Sequence, residues 1–368
     1  MERADVLVVG YALDTVWGDE STLDLFTDRS PMSADGTWQR IWSDGGPTSV
    51  EEFDERIVGV VRRAVRSAGL PARPDARRSL VVGSNFFHNR FWEHHREPGM
   101  TTFPARLRDI LVREFGINGM VAATSTACSS GGSAIIIASQ LIESNESDEV
   151  IVLGFDVASR SPNLGMSSIG ALATDIVRPF SAGRKGTTLA DGIGALVMSN
   201  KAPDVGNHVV VAGYGAAADA YNATSPRPDG ESLRRAMTRC LDRAGVRPDQ
   251  VDYINTHGSG TVMNDSLETR VVKNVFGAHA KNLRMNASKS LIGHTLGAAG
   301  LVECILTVMQ MQQGVLHATI GFTEPDPQCD LDNLTDGWVH ADPRFAMTTS
   351  IGFGGLNVCL LLRKVTHA

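Results

Sequence analysis

The residue types that could do chemistry in this sequence begin with one cysteine set among small polar residues. Cys128 lies in the run Thr126-Ala-Cys-Ser-Ser-Gly131, just before the apolar stretch 134–138, which is typical of a buried helix. A helix beginning at Ser129 would direct unpaired amides and the positive end of its dipole at the sulfur, which favours a thiolate nucleophile. The alternative is a small buried cysteine that packs as an ordinary apolar group.

Two histidines follow small residues in the second half of the chain. His257 comes after the apolar run 251–254, so it would emerge at the carboxyl end of a strand, where α/β folds bind ligands. His294 follows Lys289 by five residues, ahead of a helix rich in small residues. Each histidine taken alone more often satisfies a structural hydrogen bond, and Lys289 taken alone could be a solvated surface lysine.

Alternating apolar runs and helical patterns must position these residues. Buried strands are predicted at 6–9, 80–82, 150–153, 193–198, 209–212, 251–254 and 358–362. Helices are predicted at 50–68, 103–115, 132–143, 231–244, 266–276 and 296–313. The segments 15–47 and 155–188 lack periodicity and are predicted to be irregular. This alternation predicts an α/β fold of two similar halves, 1–203 and 204–368.

Composition excludes several classes of function. The 368 residues carry 34 basic and 41 acidic side chains, a net charge of −7 that argues against general nucleic-acid binding. Five cysteines without paired spacing support neither a disulfide framework nor a cysteine-type zinc site. His257 and His294 stand too far apart for a helical metal motif, so no metal is expected. Without a signal segment or a membrane span, the protein is predicted to be cytoplasmic.

Four blocks of the sequence resemble the β-ketoacyl-acyl carrier protein synthases of types I and II, which share the thiolase fold. They are Thr126-Ala-Cys-Ser-Ser-Gly131, Thr256-His-Gly-Ser-Gly-Thr261, Ser288-Lys-Ser-Leu-Ile-Gly-His-Thr-Leu-Gly-Ala-Ala-Gly300 and Gly352-Phe-Gly-Gly-Leu-Asn357. Weaker matches at 178–180 and 221–230 extend the resemblance over about residues 120 to 362. The resemblance implies a thiolase-like α/β fold, layered αβαβα, and a decarboxylative Claisen condensation.

The resemblance also implies roles for the residues of the first and last blocks. Cys128 would take an acyl group from a carrier as a thioester. Backbone amides of Cys128 and Phe353 would stabilise the negative oxygen formed during that transfer. Gly354 and Gly355 would let the main chain approach the ligand, and Phe353 would also gate the acyl pocket.

The two middle blocks would serve the decarboxylation. His257 and His294 would donate hydrogen bonds to the enolate-like oxygen of the malonyl thioester, but the sequence does not show what fixes their tautomers. Lys289 would supply positive charge, with Glu268 as its partner. Ser259 and Thr261 would bind the pantetheine arm, or would only stabilise a turn.

No resident cofactor is implied, because the substrates are acyl and malonyl thioesters on the phosphopantetheine of an acyl carrier protein. Relatives are dimers, so a homodimer or a heterodimer with a related subunit is expected. The chain departs from the family at 181–188, a loop that borders the site in relatives. Acidic residues at 51–55 stand where relatives present basic ones, so carrier docking is assigned to other surfaces, with Arg62, Arg63 and Arg227 as candidates.

Three functions remain open. The first is a β-ketoacyl-acyl carrier protein synthase of fatty-acid or polyketide synthesis. The second is a ketosynthase-like acyltransferase that moves an acyl group without decarboxylation. The third is a non-catalytic subunit similar to a chain-length factor, against which the presence of Cys128, His257 and His294 argues.

Overall fold

The computed structural model describes residues 5–15, 18–19, 47–69, 75–93, 103–201, 208–331 and 337–365. The strands are β1 (Leu7–Thr15), β2 (Gly18–Asp19), β3 (Arg78–Gly83), β4 (Val121–Thr124), β5 (Glu149–Asp156), β6 (Gly192–Ser199), β7 (His208–Ala218), β8 (Tyr253–Asn255), β9 (Arg284–Asn286), β10 (Val315–Leu316), β11 (Val339–His340), β12 (Phe345–Gly352) and β13 (Leu356–Val365). The α-helices are α1 (Val50–Ser67), α2 (Asn89–Trp92), α3 (Ala105–Phe115), α4 (Ser130–Glu143), α5 (Arg160–Ser168), α6 (Glu231–Ala244), α7 (Val262–Phe276), α8 (Lys289–Ile292) and α9 (Ala299–Gln313).

Within the described residues, the long strands form one sheet whose order repeats about its middle. The order is β4-β3-β5-β6-β1-β7-β13-β12-β8-β9, with β2 paired to β1. Outward from the central β1–β7 pair, each side has two antiparallel contacts followed by two parallel ones. The prediction of two similar halves is therefore confirmed. The predicted boundary between 203 and 204 lies outside the described residues.

Three apolar clusters define the layers. The central cluster contains α4 and α9 together with the inner faces of both half-sheets. A second cluster packs α1 and α3 on the outer face of the first half, and a third packs α6 and α7 on the outer face of the second. The predicted αβαβα layering is thus confirmed.

The burial of the helices follows from their sequences. In α1, apolar residues recur on one face, and Ser49 caps the helix by accepting a hydrogen bond from the Glu52 amide at 3.1 Å. In α9, apolar residues surround the helix, which is buried along most of its length, as its middle layer requires. No helix in the described part of the chain combines the length and hydropathy needed to cross a bilayer.

Close contact between α4 and α9 depends on glycine. A Cβ at Gly131 would collide with the backbone of Leu301, and one at Gly300 would lie 2.7 Å from the Gly132 nitrogen. The two central helices therefore approach each other backbone to backbone. This contact brings the first half, which carries Cys128, against the second half, which carries the histidines.

The sequence predicts most of the long elements but misses the strand β12 and several short elements. All six predicted helices are present, although the last begins with a 3-10 turn at Leu296–Ala298. The segment 155–188, predicted to be irregular, instead contains α5, so that prediction is wrong for Arg160–Ser168. Most of segment 15–47 lies outside the described residues.

Candidate functional site

Cys128 lies in a tight turn between β4 and the first residue of α4. Ala127, immediately before it, has φ +51°, a left-handed conformation that is unfavourable for a residue with a side chain. The Ser130 hydroxyl fixes the turn, donating to the Ala127 carbonyl at 2.6 Å and accepting from the Thr126 amide at 2.9 Å. The turn thus places Cys128 at the amino end of α4, as the sequence predicts.

The environment of Cys128 acts on its thiol in two opposite directions. Burial raises the pKa of the Cys128 thiol to about 11, although the Lys289 charge and a hydrogen bond from the Phe353 amide act to lower it. Burial thus opposes the thiolate that the helix end favours, and the predicted thiolate stays a prediction. The thiol must therefore give up its proton as the sulfur attacks.

One cavity of about 300 Å³ collects most of the predicted site residues. Its lining includes Cys128, His257, Ser259, Thr261, His294, Phe353, Gly354 and Gly355. These residues come from four separated blocks of the sequence, and three of the blocks belong to the second half of the fold. Lys289 and Glu268 do not line the cavity; both are fully buried beneath it.

Both histidines are held as neutral rings with the proton on Nε2. The Lys289 ammonium lies 3.1 Å from Nδ1 of His257, and the Leu296 amide donates to Nδ1 of His294 at 3.2 Å. Because each Nδ1 accepts a hydrogen bond, each Nε2 carries the hydrogen. Burial, followed by the Lys289 charge, lowers the pKa of both His257 and His294 well below the usual value. The two rings stand edge to face, with centroids 5.6 Å apart.

The predicted pairing of Lys289 with Glu268 is wrong, because Lys289 forms its ion pair with Glu303 of α9. Glu268 instead accepts hydrogen bonds from the His257 and Gly258 amides, at 2.9 and 3.0 Å, and from the Thr349 hydroxyl at 2.6 Å. Glu268 therefore holds the backbone around His257.

Sequence reasoning missed Glu303, although a signal for it exists. It is a carboxylate inside a helix that is otherwise apolar and buried, and such a group requires a charged or hydrogen-bonded partner. Burial raises the pKa of Glu303 to about 7, against the opposing effect of Lys289. The pair places one positive and one negative group behind His257.

The turn Phe353–Gly355 between β12 and β13 presents a backbone amide to Cys128. Gly354 and Gly355 have φ +78° and +73°, and a side chain at Gly355 would collide with Asp219. The Gly354 amide is fixed by the Ala223 carbonyl at 2.8 Å. The residue Phe353 is 37% exposed and also lines the cavity, so it stands between the cavity and the surface. This geometry suits a Phe353 amide that donates a hydrogen bond to an oxyanion and a Phe353 side chain that can move.

Ser259 and Thr261 both line the cavity, and their hydroxyl oxygens lie 2.9 Å apart. Ser259 also accepts from the Thr261 amide at 3.3 Å, so the turn-stabilising alternative is present in the structure. Their predicted contact with a pantetheine arm stays a prediction.

The divergent loop 181–188 lies against the cavity. Lys185 and Thr187 contribute to the cavity lining. Arg184 is buried, forms an ion pair with Asp326 and donates to the Val262 carbonyl at 3.1 Å. The arginine thereby ties this loop to the start of α7.

Two of the candidate docking arginines have nearby acidic partners. Arg62 donates to Glu114, and Arg227 donates to Asp229 at 2.8 Å. Arg227 directly follows Pro226, which lines the cavity, whereas Arg62 lies on α1 in the outer layer of the first half. Arg227 is therefore the better placed of the two for contact with a molecule that enters the cavity.

Comparison with known proteins gives matches along most of the chain. The family model described as beta-ketoacyl synthase, N-terminal domain, matches residues 50–203, and its C-terminal counterpart matches 208–323. The 3-oxoacyl-[acyl-carrier-protein] synthase 2 of Staphylococcus aureus (strain COL) is 32% identical over 340 residues, covering 86% of this chain and 82% of that protein.

Solved structures share the fold over almost the whole chain. The ishigamide ketosynthase/chain length factor superposes with a TM-score of 0.84 at 26% identity, covering 99% of this chain and 100% of that one. A chain of a type II PKS acyl-carrier protein in complex with its ketosynthase, bound to the hexaketide, gives a TM-score of 0.85 at 22% identity, covering 99% and 100%. The thiolase-like fold predicted from the sequence is thus confirmed.

Proposed function

Since this chain belongs to the β-ketoacyl synthase family, we propose that it condenses an acyl group held on Cys128 with a malonyl unit held on an acyl carrier protein. The observation that carries the proposal is the grouping in one cavity of the Cys128 thiol, two imidazoles with Nε2 protonated and the Phe353 amide. In fatty-acid or polyketide synthesis the product would be a β-ketoacyl carrier thioester.

In the first half reaction, the Cys128 sulfur attacks the thioester carbonyl of the acyl carrier. The thiol proton, which burial keeps on the sulfur at rest, is given up as the sulfur attacks and passes to the departing carrier sulfur. The amides of Cys128 and Phe353 stabilise the negative oxygen of the tetrahedral intermediate. The carrier thiol then leaves with the proton, and the acyl group remains on Cys128.

In the second half reaction, the malonyl thioester loses carbon dioxide. The electron pair of the broken C–C bond moves to the thioester carbonyl, whose oxygen accepts hydrogen bonds from Nε2 of His257 and His294. The enolate carbon attacks the Cys128 thioester, and the sulfur leaves as a thiolate that takes a proton from water. Lys289 acts through His257 by holding Nδ1, so it is a positioning residue in this scheme.

The proposal includes two protein partners. One is an acyl carrier protein, whose phosphopantetheine arm would enter past Ser259 and Thr261. The other is a second ketosynthase-like chain, identical or related. The strand β4 supports this second partner, because it is an edge of the sheet among the described residues and Met120 and Val121 there are 47% and 36% exposed.

The test uses the whole chain with an acyl carrier and a malonyl carrier, followed by intact-protein mass spectrometry and measurement of carbon dioxide. We expect an acyl adduct on Cys128, carbon dioxide release and a β-ketoacyl carrier. Acyl transfer without carbon dioxide would replace the proposal with the acyltransferase alternative. The absence of an adduct with any acyl carrier would favour the subunit similar to a chain-length factor.

A further inference from the structure

A fully buried carboxylate, Asp156 at the end of β5, joins three segments near the site without lining the cavity. Its Oδ1 accepts hydrogen bonds from the Ser84 hydroxyl and the Phe86 amide, both at 2.8 Å. Its Oδ2 accepts from the Asn85 amide at 2.9 Å and the Gly297 amide at 2.7 Å. Four donors thus converge on one carboxylate.

The Gly297 contact matters because Gly297 lies in the 3-10 turn Leu296–Ala298, which follows His294 by two residues. Within that turn Leu296 has φ +54°, a strained conformation that persists only when its surroundings fix it. The Leu296 amide is the group that donates to Nδ1 of His294. A Cβ at Gly297 would lie 2.5 Å from both the Asn85 nitrogen and Oδ2 of Asp156, so the turn fits tightly against this carboxylate.

We infer that Asp156 is a positioning residue for His294: it anchors Gly297, which holds the Leu296 amide at Nδ1 and leaves the hydrogen of Nε2 for the substrate. The effect of Asp156 on catalysis rests on the proposed function. Its effect on the His294 tautomer rests only on the hydrogen bonds described above. A carboxylate suits this place because it accepts from all four donors, whereas an amide would direct its own N–H groups at two of them.

A purely structural role predicts a different outcome. Asp156 also supports the turn at Ser84–Phe86, next to Phe87 with φ +48°. If that were its only role, loss of the carboxylate would lower both half reactions together through loss of folded protein. A positioning role instead changes the ratio of the half reactions in the folded protein.

The experiment compares Asp156→Asn with Glu149→Gln. Glu149 is also a fully buried carboxylate of β5, but it lies at the opposite end and pairs with Arg78 at 2.6 Å. For each folded variant we measure acyl loading of Cys128 and carbon dioxide release from a malonyl carrier. In Asp156→Asn we expect carbon dioxide release to fall about tenfold more than loading does. In Glu149→Gln the ratio should stay as in the unmodified protein.

A second readout follows the His294 ring directly. Two-bond proton–nitrogen spectra of protein labelled with ¹⁵N-histidine, assigned with His294→Gln, should show an Nε2–H tautomer for His294 in the unmodified chain. Asp156→Asn should mix the tautomers of His294 and leave His257 unchanged. An unchanged His294 spectrum, or an equal loss of both half reactions, would overturn the inference.

Two further variants keep the test decisive. If Asp156→Asn does not fold, Asp156→Glu retains the charge and displaces the oxygens by one methylene, and the same change of the His294 tautomer is expected. Ser84→Ala removes one donor from the carboxylate but not the Gly297 link, so it should leave the tautomer intact. If the unmodified chain releases no carbon dioxide, the proposed function fails while the spectra still decide the role of Asp156.

Discussion

The Lys289 ammonium lies between two groups that come from different elements: Nδ1 of His257 at 3.1 Å and the carboxylate of Glu303 in α9. All three side chains are buried. The lysine therefore fixes the His257 tautomer, and the glutamate compensates the charge that does so.

Lys289→Met should therefore slow decarboxylation at least ~100-fold, because His257 loses the donor that keeps its hydrogen on Nε2. Acyl loading should fall less. Carbon dioxide release and the Cys128 adduct measure the two effects, and the exposed Lys273→Met is the matched control. Glu303→Gln should change decarboxylation in the same direction as Lys289→Met. If Glu268→Gln reproduces the lysine variant and Glu303→Gln does not, our assignment of the ion pair is incorrect.

Cys128→Ala should abolish acyl loading, whereas His294→Ala should leave loading largely intact and slow decarboxylation by ~100-fold. The reason is that the sulfur forms the thioester, while His294 supplies one of two hydrogen bonds to the enolate oxygen. Single-turnover loading and carbon dioxide release separate the steps. His340→Ala, at an exposed position of β11, serves as the control. Equal losses of both half reactions in His294→Ala would contradict this division of roles.

Alkylation of Cys128 by iodoacetamide should accelerate with pH throughout the range from 7 to 10. Burial raises the pKa of this thiol to about 11, so the reactive thiolate fraction grows about tenfold for each pH unit below that value. Intact mass after timed alkylation gives the rate, with Cys128→Ser as the blank and circular dichroism to confirm folding. A plateau below pH 8 would show that the helix end stabilises the thiolate more than burial opposes it.

Gly355→Ala should be more damaging than Gly354→Ala. Both positions have positive φ, which costs an alanine roughly 1 kcal/mol. A Cβ at Gly354 meets nothing within 4 Å, whereas one at Gly355 collides with Asp219. We expect Gly355→Ala to lower the free energy of unfolding by about 2–4 kcal/mol and to slow loading, because the Phe353 amide shifts. Denaturant unfolding and loading rates provide the measurements, and equal effects of the two variants would refute the steric argument.

Much of the candidate site could be predicted from the sequence because its groups lie in short local blocks. Cys128 before an apolar helix and His257 after a strand are patterns of adjacent residues, and the structure brings both to one cavity. The Lys289 partner could not be obtained in this way. Glu303 and Glu268 both lie beside apolar residues in helices. Only the packing of α9 against α8 shows that Glu303 is the ion-pair partner of Lys289.

The protonation state of the Cys128 thiol could not be predicted from the sequence either. The helix end that favours a thiolate is visible in the sequence, but the burial that opposes it depends on elements from both halves.

The strand β12 has the sequence Phe-Ala-Met-Thr-Thr-Ser-Ile-Gly, in which apolar and polar residues alternate too weakly to predict a strand. Its pairing with β8 and β13 in the sheet decides its conformation. Short α5 was missed because its serines and glycine hide any helical period.

The glycine contact between α4 and α9 has a consequence for how the reaction centre tolerates change. The nucleophile belongs to one half of the fold and the imidazoles to the other, and Gly131 and Gly300 set the spacing between the two. A methyl group added at Gly131 or Gly300 would push the two helices apart. It would thereby increase the distance between the sulfur and the imidazoles without contacting either. Such a variant would at once strain the packing of the two central helices and move the reacting groups apart.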